Sequence, residues 1–538
     1  MKTKLHTLLS LLALPLALAS CLSKADTDHT PGVYTPVAAV SEEPYDAGHN
    51  PYSLSVMAQA MERLRAEGYD TPDILEANTL YVTLHPADSA SARALCESDL
   101  VLSEEPLCGE QAPTAGDCPV TFFASVPAGY TPPAGVTMNI IDRCYLPEPD
   151  TRNGLPSGLL EREAVLLAGG TPSLPATRGQ DPVLCGRLSF TDTQHNIYTP
   201  SGSTYPVAGV TVRCSYFLRT AECTTDEKGR WSVENRFPSA PNVHVVMKST
   251  DGYTIWNGLN VFVPATALVY RQFESGLDIR LDESHRAWQW AAVNRGARDW
   301  YAYCRENGIA LPPDGLKVMV FSTDESESNA FGSAPMLSHI GYVKASTKSD
   351  FWQFLANLAL VPSTAVPLFL FGWATPDIIL NGCRAGGNAS AHESACSQVY
   401  YRTLHEFAHS SHFARAGKEL WRPLVGQYIG AGFTYCKSTD DGAGLVDLTE
   451  SWALASSNYI FSQQNPRFYG SHSSRQFRDG KEFRQGALLA LLNNGTLTHR
   501  ELFLCLDTDV QSMETLLDRL SEKYPEKREK ITKAFAQE

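Results

Sequence analysis

The sequence holds no CxxC pair, no run of basic residues and no uninterrupted apolar stretch of the roughly 20 residues that a membrane-spanning helix needs. The first absence disfavours a zinc site built on cysteine pairs. The second, with 44 Lys and Arg against 59 Asp and Glu and a net charge of −15, sets nucleic acid aside as a partner, because phosphate backbones are repelled. The third leaves no transmembrane helix in the mature chain. The longest apolar candidate, Phe351 to Trp373, is broken by Pro362 and Pro367 and carries Gln353, Asn357, Ser363 and Thr364, which reads as a buried helix followed by a turn. What is present is a chain of 538 residues, 43% hydrophobic and 19% charged, long and apolar enough to bury several cores.

Lys2 and Lys4 precede an apolar segment, Leu8 to Leu18, that is too short to cross a bilayer, and Leu18-Ala19-Ser20-Cys21 follows. This layout resembles the signal peptide and lipobox of bacterial lipoproteins. The resemblance implies removal of residues 1–20, lipidation of Cys21 with acyl chains such as palmitate, and a place in the cell envelope as an outer-membrane lipoprotein on its periplasmic or cell-surface face. The mature chain would carry 42 basic residues against 59 acidic ones, a net −17, so the lipid anchor and not surface charge would hold it at the membrane. Residues 21–50, rich in Asp, Thr, Pro and Ala without apolar periodicity, read as a flexible tether. Twelve cysteines remain after Cys21, and an oxidising compartment permits disulfides. Cys96 with Cys108, Cys118 with Cys144, Cys214 with Cys223 and Cys383 with Cys396 are the local candidates.

The body reads as a multidomain α+β chain. Residues 51–180 form an N-terminal α/β domain: a helix from Leu54 to Glu67, the β-rich runs Thr79 to Leu84 and Val120 to Val126, and a helix from Leu159 to Ala168. A Gly/Pro/Thr-rich stretch, Gly169 to Pro182, marks a boundary. Residues 181–283 change to short β runs: Val183 to Phe190, Val207 to Ser215, Trp231 to Val233, Val243 to Lys248, Val261 to Val263 and Leu277 to Leu281. The segments Pro206 to Val212 and Thr224 to Trp231 resemble the carboxypeptidase regulatory-like, transthyretin-like β-sandwich family, which implies a spacer without chemistry. Gly229 supplies the positive φ of a turn, and Trp231 opens the next buried strand. Residues 284–538 turn mainly helical, with a helix from Ala287 to Asn307, strands Leu316 to Ser322 and Pro376 to Leu380, and a helix from about Ser394 to Ala416.

Inside that last helix stands His405-Glu406-Phe407-Ala408-His409, an HExxH motif. Four residues at about 100° each place the two imidazoles within about 40° of one another, so both can reach one metal ion. Glu406 can then take a proton from water and return it to a leaving amine. A buried, hydrogen-bonded histidine pair is the plain alternative. This half of the chain resembles the zincin metallopeptidases. The resemblance implies a mainly helical zincin-like domain, a Zn2+ cofactor, a peptide or protein substrate, and Glu406 as the catalytic base.

A third ligand is needed. Metzincins place a histidine six residues beyond the second, where this chain has Arg415, and His412 lies about 10.5 Å along the helix from His405, too far to share an ion with it. Leu448 to Ala453 resembles the downstream glutamate helix of gluzincins, which implies Glu450 as ligand, with His472 or Asp447 as alternatives. Leu454 stands where one gluzincin subgroup has an acid, so support for a metal-binding histidine must come from elsewhere. Tyr469 and His472 are candidates to stabilise the transition state, Tyr459 being about 180° around the helix from Glu450. Ile378 to Leu380 reads equally as a substrate-pairing edge strand or a core strand, and the turn Phe331 to Met336 as a cleft wall or merely a loop. A catalytically silent surface-binding lipoprotein that keeps the zincin-like scaffold is the rival function, and a structural lipoprotein that binds no metal is the third.

Overall fold

The computed structural model describes residues 50–72, 74–103, 106, 121–148, 157–172, 183–192, 203–233, 237–258, 262–321, 331–340, 375–381, 395–430, 435–464 and 475–537. The expected signal segment, Cys21, nearly all of the tether, the stretch Phe351 to Trp373, Tyr469 and His472 lie outside them. The described residues are mixed α+β, with a helical C-terminal region. Among them no helix is long and apolar enough to cross a membrane.

The first sheet joins β1 (Thr79–Pro86), β2 (Phe122–Pro127) and β3 (Val136–Cys144), antiparallel in the order β2-β1-β3. β1 is rich in β-branched and aromatic residues and is buried on both faces. Tyr81 and Phe123 pack on the helices Leu54–Ala66 and Ser157–Leu167 through Met57, Met61, Leu64 and Leu160. Leu80, Val82 and Leu84 belong to the main core.

The next strands are β4 (Leu184–Asp192), β5 (Ser203–Pro206), β6 (Val210–Tyr216), β7 (Arg219–Thr224), β8 (Arg230–Val233), β9 (Asn242–Ser249), β10 (Tyr253–Asn257), β11 (Thr266–Tyr270) and β12 (Asp278–Leu281). They divide between two sheets. One runs β12-β4-β5, with β8 also on β4. The Asp226–Gly229 turn carries the chain from β7 in one sheet to β8 in the other, so it is a corner and not a hairpin. Asp226 Oδ1 accepts from the Lys228 and Arg230 amides at 2.8 Å each, Gly229 has φ +73°, and a Cβ there would lie 2.2 Å from the Leu188 carbonyl oxygen. Of the expected run Val261 to Val263, Phe262 and Val263 form a bend, and Val261 is outside the described residues. Cys214 and Cys223 stand on the paired strands β6 and β7 as free thiols, so the disulfide suggested by their spacing is not made. Cys108, Cys118 and Cys383, needed for the other candidate pairs, are outside the described residues.

The second sheet continues beyond residue 283. β13 (Leu316–Val320) lies parallel to β10, in register from Tyr253 with Leu316 to Asn257 with Val320. With β14 (Phe331–Ser333) and β15 (Ile378–Asn381) the order becomes β14-β15-β13-β10-β9-β6-β7, with β11 on β9. β15 is therefore an inner strand, parallel to β13, and β14 is the outermost strand on that side among the described residues. Of the two readings of Ile378 to Leu380 the core strand holds and the edge strand does not, and Phe331 to Ser333 is a strand where a loop was expected. A three-residue strand centred on glycine has no periodicity to betray it.

Helix Arg286–Asn307 crosses this sheet. Its Asn294 accepts a hydrogen bond from the Tyr253 hydroxyl at 2.7 Å and donates to the Ala208 carbonyl at 2.9 Å. Helix Ala395–Ala416 packs between it and helix Ala443–Gln464. Gly296 permits the first approach, since a Cβ there would be 2.8 Å from Thr403 Cβ. The fully buried small residues Ala453 and Ser457 serve the tight packing of the second helix. Two tryptophans fix the middle helix: Trp300 Nε1 donates to Ser411 Oγ at 2.9 Å and Trp452 Nε1 to the Ala408 carbonyl at 3.1 Å. A third, Trp421 of helix Lys418–Gly430, donates to the Ala334 carbonyl at 3.0 Å and ties the chain after β14 to the helical layer.

Candidate metal centre

The helical repeat places His405 and His409 one turn apart with their Nε2 atoms 3.2 Å from each other and their rings nearly perpendicular, at 88°. Glu450, from the neighbouring helix, sets Oε2 3.3 Å from His405 Nε2 and Oε1 3.4 Å from His409 Nε2. Three ligands on a tetrahedral ion with bonds of about 2.0–2.1 Å stand about 3.3–3.4 Å from one another. Each histidine nitrogen meets a different Glu450 oxygen, at separations close to those between ligands of one divalent ion, and Arg475 Nη1 lies 3.7 Å from Glu450 Oε2.

Glu406 also lies close, but its Oε1 is 4.0 Å from His405 Nε2, farther than either Glu450 oxygen approaches a histidine. Its Oε1 is buried and has no hydrogen-bond partner among the described residues, and burial pushes the carboxyl up to about 7. A group of that kind exchanges protons near neutral pH. Burial, and next the nearby Arg475 guanidinium, holds His405 down to about 3, which keeps the imidazole in its neutral, ligating form. Burial works to raise Glu450, but the charge of His409 and hydrogen bonds with both histidines outweigh it and hold the carboxyl well below its usual range. Glu450 is thus an anion. The Nδ1 atoms of His405 and His409 are buried without hydrogen-bond partners among the described residues.

The Tyr435 hydroxyl donates to Glu450 Oε2 at 3.0 Å. It does not replace the acid missing at Leu454, which packs in an apolar cluster with Phe477 and Phe483, because Tyr435 reaches Glu450 and neither histidine Nδ1. Arg475 Nη1 donates to the Tyr435 oxygen at 3.0 Å and lies 3.1 Å from His405 Nε2, while Nη2 lies 4.0 Å from Glu406 Oε1. Burial raises the Tyr435 and Tyr428 phenols, so both stay protonated donors.

Glu406, His409, Glu450, Tyr435 and Arg475, but not the fully buried His405, line a cleft of about 380 Å3. Gly332 to Pro335 form one wall, and Trp421, Leu424, Val425 and Tyr428 another. Those four positions recur at helical spacing on one face of helix Lys418–Gly430.

His405, His409, Glu406 and Glu450 thus come together as the spacing suggests. Asp447 does not join them: it accepts from Arg484 Nε at 2.7 Å and Ser451 Oγ at 3.0 Å. His412 is buried, edge-on to Trp421 with ring centroids 5.4 Å apart, and Tyr459 packs on His499. Arg475, Tyr435 and Tyr428 were not anticipated. Arg475 lies three residues beyond His472 in the segment already suspected of supplying a donor, whereas Tyr435 carries no local signal. No family model matches this chain, and no curated protein matches it.

Proposed function

We propose that this chain is a zinc metallopeptidase of zincin-like architecture, built as a multidomain lipoprotein and anchored to the cell envelope through Cys21. The observation that carries the reading is that His405 Nε2 and His409 Nε2, 3.2 Å apart, face Glu450 Oε2 and Oε1 at 3.3 and 3.4 Å, beside a cleft that His409, Glu406 and Glu450 line. The parallel strands β13 and β15 beside the HExxH helix, with β14 antiparallel at their border, support the architecture. The two sheets that β4–β12 enter agree with the β-rich reading of the middle segment, while the pairing of β10 with β13 joins that segment to the helical one and counts against a separate spacer.

His405, His409 and Glu450 would hold the ion. Zinc held there supplies Lewis acidity, which polarises a carbonyl oxygen and acidifies water. Glu406 receives the proton of the attacking water and hands it to the departing amine. Arg475, a permanent cation at the cleft floor, offers N–H donors to the carbonyl oxygen as negative charge gathers on it. Tyr435 orients Glu450 and is itself held by Arg475.

The test strips the purified full chain with a chelator, reloads it with zinc and digests a peptide library, with zinc counted by atomic emission. One zinc per chain and zinc-dependent cleavage are expected. Stoichiometric zinc without cleavage would favour the silent scaffold, and a chain that takes up no zinc would end the metallopeptidase reading.

A further inference from the structure

Gly332 is the central residue of β14, opposite Leu380 of β15, and it lines the cleft. A Cβ placed on it would lie 2.4 Å from Glu406 Oε1, 3.0 Å from Glu406 Cδ and 3.1 Å from Arg402 Cγ. Gly332 is not among the glycines of positive φ, so space and not backbone conformation calls for glycine here. We propose that Gly332 is the positioning residue for Glu406: the bare main chain of β14 makes the room in which the carboxylate stands 4.0 Å from His405 Nε2. This inference rests on the reading of Glu406 as the proton carrier.

Which partner would yield to a side chain at 332 follows from what holds each. β14 is held by its pairing with β15, by the hydrogen bond from Trp421 to Ala334, and by the Met336 amide donating to the Asp377 carbonyl at 3.1 Å. The Glu406 backbone is fixed in the middle of helix Ala395–Ala416. The carboxylate, at the end of three rotatable bonds, is the soft element. Widening the contact from 2.4 Å to an ordinary van der Waals distance moves that oxygen by about 1 Å. A misplacement of about 1 Å in a reacting group costs on the order of a hundredfold in rate. The same softness keeps the cost to folding small. A glycine needed only for the fold would show the reverse.

The experiment compares the wild type, G332A, E406D and G332A/E406D as full chains loaded with zinc. It reads kcat and KM on a peptide that the wild type cleaves, together with zinc content. G332A is expected to keep stoichiometric zinc and a KM within about twofold while kcat falls about a hundredfold. Glu406→Asp withdraws the carboxylate by one methylene, so adding Gly332→Ala to it is expected to cost less than about tenfold. An equal penalty in both backgrounds, or a G332A enzyme with kcat within about threefold of the wild type, would overturn the proposal. Thermal unfolding gives a readout free of activity: the small fall in Tm caused by Gly332→Ala is expected to vanish beside Glu406→Ala. A fall of the same size there would remove the steric contact. A wild type that cleaves nothing, with the unfolding coupling intact, would remove the peptidase reading and leave Gly332 as the residue that sets the Glu406 carboxylate.

Discussion

Trp452 separates two histidine environments. On one side its ring lies 4.9 Å from that of His499, and on the other its indole N–H holds the Ala408 carbonyl of the HExxH helix. His499 is buried with both ring nitrogens satisfied by neutral hydroxyls, Tyr303 at 2.9 Å and Ser456 at 2.9 Å. His405 and His409 are equally buried, yet their Nδ1 atoms are unpartnered among the described residues and their Nε2 atoms converge on one carboxylate. Burying a polar atom without a partner costs about 1–3 kcal/mol, a cost borne at the Nδ1 atoms of His405 and His409 and at both ring nitrogens of His412 but not at His499. The contrast is between a histidine that closes its hydrogen bonds inside a core and a pair whose Nε2 atoms meet the Glu450 carboxylate and, at His405, the Arg475 guanidinium.

The largest effect expected from this contrast is on Glu406. Glu406→Gln keeps the shape and the zinc but cannot carry a proton, so kcat should fall about 10²–10⁴-fold, while His499→Gln should leave kcat and zinc content unchanged. Steady-state kinetics beside zinc analysis would show it, and an active E406Q would break the distinction.

Next in size, on the proposed mechanism, Arg475→Ala removes the guanidinium that lines the cleft beside Glu406 and Glu450 and should cost about 10²–10³-fold in kcat with a smaller change in KM. A change confined to KM would make Arg475 a substrate anchor instead. Smaller again, Tyr435→Phe deletes the hydroxyl that orients Glu450 and should weaken zinc about 10–100-fold in a chelator competition, with little effect on folding.

Much of this site was legible in the sequence, because the 3.6-residue repeat alone sets His405 and His409 on one face, and small residues beside Glu450 announce a helix built for close approach. The rest depends on long-range geometry. Tyr435 and Arg475 lie 40 residues apart and meet only through the fold. β10 and β13 pair across helix Arg286–Asn307, a contact that no local pattern encodes, and so the strands before and after residue 283 share one sheet. β14 is too short to carry a period, and its central glycine reads as a loop residue until Glu406 is placed beside it. Turn chemistry was legible at Asp226–Gly229 but not its consequence, because the same positive φ serves a hairpin and a sheet-to-sheet corner.

The smallest effect tests the structural side of the comparison. Burial holds His499 down to about 3 in the folded chain, against a usual value of 6.5, so the folded protein keeps this imidazole neutral while the unfolded chain protonates it near pH 6.5. Below that pH the unfolded state binds the extra proton. Stability should therefore fall as pH drops from about 6.5 toward 3, by up to about 1.4 kcal/mol per pH unit from this group alone. Between pH 7.5 and 5.0 the contribution is about 2 kcal/mol. Gln can neither titrate nor stack as an imidazole, so His499→Gln should lower stability at pH 7.5 through lost packing and hydrogen bonds. It should also lose about 2 kcal/mol less on going to pH 5.0 than the wild type does. Urea unfolding at the two pH values measures both. A variant with the same pH slope as the wild type would mean that His499 is already protonated, or reached by water, in the folded chain, and the line drawn through Trp452 would have to be redrawn.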